Sequence, residues 1–151
     1  MLLLNYKKLL IMNDPIEFRP NENEFLKSKI LIIEDDKFLR DLLSQKLSRE
    51  GFKVTAAVDG EEGFKSAVED APDLILLDLV LPGIDGFSIL ERIKKEAKLS
   101  SVPVLILSNL GQKEDVDRAL ALGAVDFMIK ANFTPGEISE RIKSILKKKY
   151  L

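Results

Sequence analysis

The chain has 151 residues, of which 46% are hydrophobic and 32% charged, and its formal net charge is -2. This length favours one compact core, and the nearly balanced charge provides no strong field that would attract nucleic acid. Cysteine and histidine are both absent, which excludes disulfides, thiolate or imidazole metal sites, and cysteine–histidine or serine–histidine catalytic pairs.

The first 28 residues stand apart from the repeating pattern that follows them. Met1–Met12 is apolar but is interrupted by Asn5, Lys7 and Lys8, and it is shorter than the roughly 20 apolar residues that span a bilayer. Its lysines lie within the apolar run, whereas those of a signal peptide precede it. We therefore predict a flexible extension over residues 1–28, no membrane segment and a cytoplasmic location.

From residue 29 onward, short β-branched runs alternate with longer amphipathic stretches, which predicts five βα units. The predicted strands are Ile30–Ile33, Lys53–Ala57, Leu74–Leu77, Val104–Leu107 and Asp126–Ile129. The predicted helices are a first one from Phe38 to Leu47 that ends at Gly51, followed by Glu61–Glu69, Phe87–Ala97, Lys113–Leu122 and Pro135–Lys148.

Two of the predicted helices begin with recognisable caps. Asp36 directly precedes the first helix and is predicted to be its N-cap, where the helix dipole stabilises a carboxylate. Thr134, Pro135 and Glu137 form a capping box with proline at the first helical position of the last helix.

Five βα units are too few for an eight-stranded barrel, and right-handed crossovers favour an open sheet covered by helices on both faces. We therefore predict a flavodoxin-like, doubly wound α/β fold with five parallel strands in the order 2-1-3-4-5. This order places the first and third strands side by side. Ligands of such sheets bind beyond the carboxyl ends of the strands at this point.

Charged and polar side chains follow four strands at this edge of the predicted sheet. Glu34 and Asp35 follow the first strand, Asp78 the third, Ser108 the fourth and Lys130 the fifth. Carboxylates that converge in one crevice repel one another unless a cation joins them. Because the chain has no histidine or cysteine, the oxygen-only set of ligands favours Mg²⁺.

Asp78 is the best placed of these acids for nucleophilic chemistry. It ends an apolar central strand and precedes Leu81-Pro82-Gly83, a sequence that suits a type II turn and leaves the crevice open. A carboxylate can attack phosphorus to form an acyl phosphate. Mg²⁺, the Lys130 ammonium and the Ser108 hydroxyl are then available for the phosphoryl oxygens.

These residues resemble those of the receiver domains of two-component response regulators. The resemblance rests on Glu34-Asp35-Asp36 followed by Arg40, on Asp-Leu-Val-Leu-Pro-Gly-Ile-Asp-Gly at 78–86, on Ser108 and on Lys130, and it covers Lys29–Lys149. It implies that residues 29–151 form a receiver domain in which Asp78 accepts a phosphoryl group from a histidine kinase or a histidine phosphotransfer protein.

The resemblance also implies roles for neighbouring residues. Asp35 would bind Mg²⁺ directly, Glu34 through a metal-bound water, and Val80 through its backbone carbonyl. Ser108 and Phe127 would form the switch, which partners read on the surface of the fourth helix, fifth strand and fifth helix. The downstream protein partner is left open, as is a phosphorylation-dependent homodimer, and no direct binding of nucleic acid is expected.

Two features depart from the family pattern. Ala131 follows Lys130 where the family commonly has a proline preceded by a cis peptide, and a cis bond before any other residue costs about 2.5–4 kcal/mol. Val80 and Leu110 are apolar at the positions that modulate self-dephosphorylation in the family. We predict from these two residues that the phosphoryl group is lost slowly.

Two other functions remain open at this point. A degenerate receiver would bind partners without phosphorylation, which the retained acids and Lys130 disfavour. A Mg²⁺-dependent phosphohydrolase would also form an aspartyl phosphate, but such enzymes commonly carry a second acid two residues after the nucleophile, where this chain has Val80. We therefore expect a switch rather than an enzyme, limited to phosphorylation from small donors and slow self-dephosphorylation.

Overall fold

Strands and helices alternate along the part of the chain that the structure, a computed structural model, describes, which is residues 26–150. The elements are β1 (Lys29–Ile33), α1 (Lys37–Arg49), β2 (Lys53–Ala57), α2 (Gly60–Asp70), β3 (Leu74–Leu77), α3 (Gly86–Lys95), β4 (Val104–Ser108), α4 (Lys113–Ala121), β5 (Asp126–Ile129), a 3-10 turn (Lys130–Asn132) and α5 (Pro135–Tyr150). Within these residues no helix is long and apolar enough to cross a membrane. The extension predicted over residues 1–28 lies outside the described residues, except for its last three.

The five strands form one parallel sheet in the order β2-β1-β3-β4-β5, which confirms the predicted doubly wound fold. Ile33 at the end of β1 lies opposite both Ala57 and Leu77. The sheet bonding continues one residue further, because the Glu34 N–H donates to Ala57 and the Asp78 N–H donates to Ile33. The chain after β1 and the chain after β3 therefore leave the sheet side by side.

The sheet separates two apolar layers, and β3 contributes to both because alternate side chains of a strand point to opposite faces. Ile75 and Leu77 join the layer covered by α2, α3 and α4, whereas Leu74 and Leu76 join the layer covered by α1 and α5. All four side chains are buried. Each contributes about 1.5–3 kcal/mol by leaving water, which makes β3 a rigid support for the residue that follows it.

The predicted helix ends are confirmed by their hydrogen bonds. The Asp36 carboxylate accepts from the Leu39 N–H at 3.0 Å and caps α1. Thr134 Oγ1 accepts from the Glu137 N–H and Glu137 Oε1 accepts from the Thr134 N–H, both at 3.2 Å, as a capping box requires. Gly51 follows α1 with a φ of 103°, a left-handed conformation that glycine adopts without strain.

Helix α3 is shorter than its hydrophobic pattern predicts, since it ends at Lys95 rather than at Ala97. Glu96 already has an extended ψ of 121°. The chain turns there and brings Leu99 into the apolar layer beside α3, where this side chain is fully buried. Burial of Leu99 therefore ends the helix earlier than the sequence pattern indicates.

Candidate functional site at the carboxyl edge of the sheet

The loop between β1 and α1 carries three consecutive acids with different surroundings. Glu34 is buried, whereas Asp35 and Asp36 are exposed. The Asp36 N–H donates to Glu34 Oε2 at 3.3 Å. Arg40, one turn into α1, donates from Nη1 to the backbone carbonyls of Glu34 and Asp35 at 2.9 and 3.1 Å. Sequence reasoning assigned no role to Arg40, although its place in the first turn of α1 puts it within reach of this loop.

Asp78 lies directly after the central strand β3 and is buried. Its Oδ1 accepts a hydrogen bond from the Val80 N–H at 3.1 Å. Its Oδ2 accepts from Lys130 Nζ at 2.7 Å. Both carboxylate oxygens are thus held in place, and the side chain points into the same crevice as Glu34.

Lys130 comes from the 3-10 turn after β5 and reaches across the end of β4 to the acids. Its Nζ lies 2.5 Å from Glu34 Oε1 and 2.7 Å from Asp78 Oδ2, and its side chain is 15% exposed. The described residues contain no cis peptide bond. The bond between Lys130 and Ala131 is therefore trans. With this trans bond, the Lys130 side chain still contacts both Glu34 and Asp78.

Burial and charge shift the pKa values of two groups in this crevice. Burial raises the pKa of Glu34 from 4.5 to about 7, and the charge of Asp78 raises it as well, while hydrogen bonding to Lys130 opposes the change. Burial alone would lower the pKa of Lys130, but its hydrogen bonds to Asp78 and Glu34 and their charges outweigh burial and raise it. Lys130 therefore stays charged at neutral pH, and one ammonium does not fully compensate two buried carboxylates.

Asp35 completes a cluster of three carboxylates. One oxygen each from Glu34, Asp35 and Asp78 lies within 4.8 Å of the others. The donor set consists of oxygen atoms only, with two buried acids and one that faces solvent. Such a set fits a hard divalent cation that keeps part of its water shell.

Comparison with protein families identifies the family of this chain. The family model described as the response regulator receiver domain matches residues 30–143. The chain belongs to this family. Receiver domains serve two-component signalling, and the family match covers all five strands of the sheet except Lys29 at the start of β1.

Similar proteins include larger regulators. The chain is 40% identical over 120 residues to the DNA-binding dual master transcriptional regulator RpaA of Synechocystis sp., and 37% identical over 123 residues to the alkaline phosphatase synthesis transcriptional regulatory protein PhoP of Bacillus subtilis. These matches cover 80% and 82% of this chain but 49% and 50% of the relatives. This receiver thus spans about half the length of the curated relatives that it matches.

Among solved structures, the Francisella response regulator 1452 receiver domain superposes with a TM-score of 0.74 at 31% identity. The match covers 82% of this chain and 99% of that one. This chain therefore shares its fold with an isolated receiver domain over nearly the whole length of that domain.

The other residues predicted for the site lie at its margin in this receiver. Ser108 ends β4 and is fully buried, and its Oγ accepts from the Leu110 N–H at 3.3 Å. Among the described residues, no hydrogen bond joins Ser108 to the acids. Phe127 in β5 is partly buried and packs against the apolar layer covered by α2, α3 and α4. Val80, two residues after Asp78, is 55% exposed.

Gly86 is a residue of the site whose role sequence reasoning missed. Its N–H donates to the Leu79 carbonyl at 2.9 Å. A Cβ at Gly86 would lie 2.4 Å from Leu79 Cα and 2.5 Å from the Asp78 carbonyl oxygen. Only glycine therefore fits there without displacing the backbone of Asp78. The available signal was a glycine directly after Asp85, which caps α3 through the Phe87 and Ser88 N–H groups.

Proposed function

We propose that this receiver is a phosphorylation switch of a two-component system, in which Asp78 is the phosphoacceptor. The observation that carries the proposal is the contact of 2.7 Å between Lys130 Nζ and Asp78 Oδ2 inside a buried acidic crevice. Because these 151 residues contain no histidine, the phosphohistidine lies outside them, and we propose a histidine kinase or a histidine phosphotransfer protein as the donor. We place this exchange in the cytoplasm and assign it to a receiver domain over residues 29–151, preceded by an extension over residues 1–28.

In the transfer step, a carboxylate oxygen of Asp78 forms a bond to phosphorus while the phosphorus–nitrogen bond of the donor breaks. The imidazole stays on the donor, and the product on this chain is an acyl phosphate. The Val80 N–H and Lys130 orient the carboxylate for this attack. The Lys130 ammonium then stabilises negative charge on a phosphoryl oxygen.

Mg²⁺ is the cation that fits the donor set of this crevice. Asp35 and Asp78 would hold it directly, Glu34 through a water, and Val80 through its backbone carbonyl. When bound, the ion supplies positive charge that neutralises the phosphoryl oxygens. The raised pKa of Glu34 supports this assignment, because a group so destabilised as an anion gains from a nearby cation.

Ser108 and Phe127 are the proposed switch residues. Ser108 would exchange its contact with the Leu110 N–H for a phosphoryl oxygen, and Phe127 would turn inward between β4 and α4. Partners would read this change on α4, β5 and α5, where Leu120 and Val125 are 45% and 48% exposed. This surface is our candidate for the downstream protein partner or a phosphorylation-dependent homodimer.

The phosphoryl group is expected to be lost slowly. Val80 and Leu110 each lie two residues after a residue of the site, Asp78 and Ser108, to which their N–H groups donate, and neither has a polar side chain to orient a hydrolytic water. We therefore propose a switch that reacts with small phosphodonors and releases phosphate slowly, and that does not turn over phosphate esters as an enzyme.

The test is intact-mass spectrometry of the full chain after incubation with acetyl phosphate. Wild-type protein should gain the mass of one phosphoryl group in the presence of Mg²⁺ and not in EDTA. Asp78→Asn should gain nothing, whereas the matched control Asp36→Asn should react like wild type, because Asp36 only caps α1. If no adduct forms in wild type, the proposal is wrong and an unphosphorylated binding module becomes the better explanation. An adduct that persists in Asp78→Asn would show that another residue is the phosphoacceptor.

A further inference from the structure

The three carboxylates of the crevice are held in place by different means. The Glu34 and Asp78 side chains both contact Lys130, and each also accepts a hydrogen bond from a backbone N–H within the crevice. The Asp35 side chain is exposed, and in the described part of the chain no hydrogen bond or ion pair fixes its carboxylate. The position of this third acid therefore depends on the backbone of the β1–α1 loop.

Arg40 holds this backbone. The carbonyls of Glu34 and Asp35 precede the helical ladder of α1, whose first bond runs from the Arg40 N–H to the Asp36 carbonyl at 2.9 Å. No backbone N–H of the described loops donates to either of the two preceding carbonyls. Arg40 Nη1 donates to both, at 2.9 and 3.1 Å. One partly buried guanidinium thus provides the hydrogen bonds that these two backbone groups require.

These hydrogen bonds oppose a repulsion within the site. One oxygen from each of the three carboxylates lies within 4.8 Å of the others, and like charges at this separation repel when no cation joins them. Asp35 is the acid with the freedom to move away, since its carboxylate has no partner of its own in the described residues. A loop held by Arg40 keeps Asp35 near the two buried acids before a cation binds.

We propose that Arg40 is a positioning residue of the cation site, which fixes the carbonyls of Glu34 and Asp35 so that the Asp35 carboxylate stays beside the buried acids. It acts through the backbone and needs no contact with the cation or with the phosphoryl group. This role rests on the proposed function, because the site that Arg40 supports is the proposed Mg²⁺ site.

Charge and position predict opposite effects of removing Arg40. A guanidinium near a cation site repels the cation, so charge alone predicts that Mg²⁺ binds more tightly when Arg40 is replaced by a neutral residue. Loss of positioning predicts weaker binding, because a ligand that has moved away must be brought back when the ion binds. The direction of the change in Mg²⁺ affinity therefore distinguishes the two effects.

Mg²⁺ titration of the full-length chain at pH 8, followed by the NMR shifts of amides in the crevice, tests the role of Arg40. Arg40→Met keeps the aliphatic stem and removes the donors, and it should raise the dissociation constant of Mg²⁺ by about tenfold to a hundredfold. Arg49→Met is the matched control, because it removes an exposed arginine from the other end of α1. It should change the constant by less than about twofold.

Two further variants separate positioning from a purely structural role. Arg40→Lys keeps the charge but not the planar guanidinium, so its dissociation constant should lie between those of wild type and Arg40→Met. It also supplies the comparison if Arg40→Met does not fold, since positioning requires weaker Mg²⁺ binding than in wild type. In an Asp35→Asn background, Arg40→Met should change the constant by less than about twofold, because the carboxylate that Arg40 positions is gone.

Each alternative result has a definite meaning. Unchanged or tighter Mg²⁺ binding in Arg40→Met, or an equal loss with and without the Asp35 carboxylate, would overturn the positioning role. If wild type binds Mg²⁺ and is phosphorylated on Asp78, such a result leaves the proposed function standing. Wild-type protein that binds no Mg²⁺ would instead contradict the proposed cation site, and the role of Arg40 with it.

Discussion

Lys130 joins the ends of three strands through a single side chain. It follows β5, and it contacts Glu34 after β1 and Asp78 after β3. All three groups are largely buried, so each depends on the others for compensation of charge. Removing the single cation of this cluster leaves two buried carboxylates without a partner, which costs more than the loss of an exposed pair.

We expect Lys130→Met to lower the free energy of unfolding of the Mg²⁺-free protein at pH 8 by about 3 kcal/mol, because two buried carboxylates lose their cation. The control Lys37→Met removes an exposed ion pair with Asp41 and should cost less than about 0.5 kcal/mol. Urea denaturation of both variants measures the difference. Equal effects of the two substitutions would contradict a structural role for Lys130.

At the scale of elements, the site depends on how α3 begins. Asp85 caps the helix, and Gly86 brings its first turn against the backbone of Asp78 and Leu79. The turn before it contains Gly83 with a φ of 77°, which fits the predicted type II turn after Pro82. The loop after β3 is therefore shaped by close backbone packing as well as by the chemistry of Asp78.

Gly86→Ala should destabilise the protein by about 2–3 kcal/mol and slow its reaction with acetyl phosphate, because the new Cβ displaces backbone atoms. Gly136→Ala in α5 is the control. A Cβ there meets only Thr134 Oγ1, at 3.8 Å, and alanine should stabilise the helix by about 0.5–1 kcal/mol. Thermal unfolding and the rate of phosphorylation by acetyl phosphate are measured for both variants. If Gly86→Ala and Gly136→Ala have similar unfolding temperatures and rates, the close backbone packing at Gly86 does not shape the site.

At the scale of the whole molecule, the doubly wound sheet concentrates charge at one edge. Acids from β1 and β3 meet a lysine from β5 there, while the two apolar layers lie on either face of the sheet. Stability and ion binding are consequently linked. Glu34, with a pKa of about 7, couples both properties to pH.

The pKa of Glu34 is about 4.5 in the unfolded chain and about 7 in the folded protein. Protonated Glu34 therefore stabilises the folded state fully below about pH 4.5, and this stabilisation is lost as pH rises through about 7. Without Mg²⁺, Glu34→Gln should therefore unfold at a higher temperature than wild type at pH 8, and the difference should shrink as pH falls towards about 4.5, where Glu34 is protonated in the unfolded chain as well. Mg²⁺ should stabilise wild type more strongly at pH 8, where Glu34 is ionised. Scanning calorimetry of each protein with EDTA or with Mg²⁺ measures these unfolding temperatures, and Glu61→Gln, at an exposed position, serves as control. A difference in unfolding temperature between Glu34→Gln and wild type that does not change with pH would refute the coupling.

Much of the fold was predictable because its signals are local. Alternation of apolar runs gave the five strands, and the caps at Asp36 and Thr134 marked helix starts that the hydrogen bonds confirm. The family resemblance was likewise confirmed by the match over residues 30–143. The error at the end of α3 arose where burial of Leu99, a tertiary contact, outweighed the helical pattern.

By itself, the sequence determined the order of elements and the acids, serine and lysine that follow the strands, since both depend on residues close together in the chain. Only the tertiary structure decided which of them meet. Lys130 contacts Glu34 and Asp78, Ser108 bonds instead to Leu110, and Arg40 binds the carbonyls of the β1–α1 loop. These distances depend on the packing of strands that are remote in sequence, and no local pattern of residues encodes them.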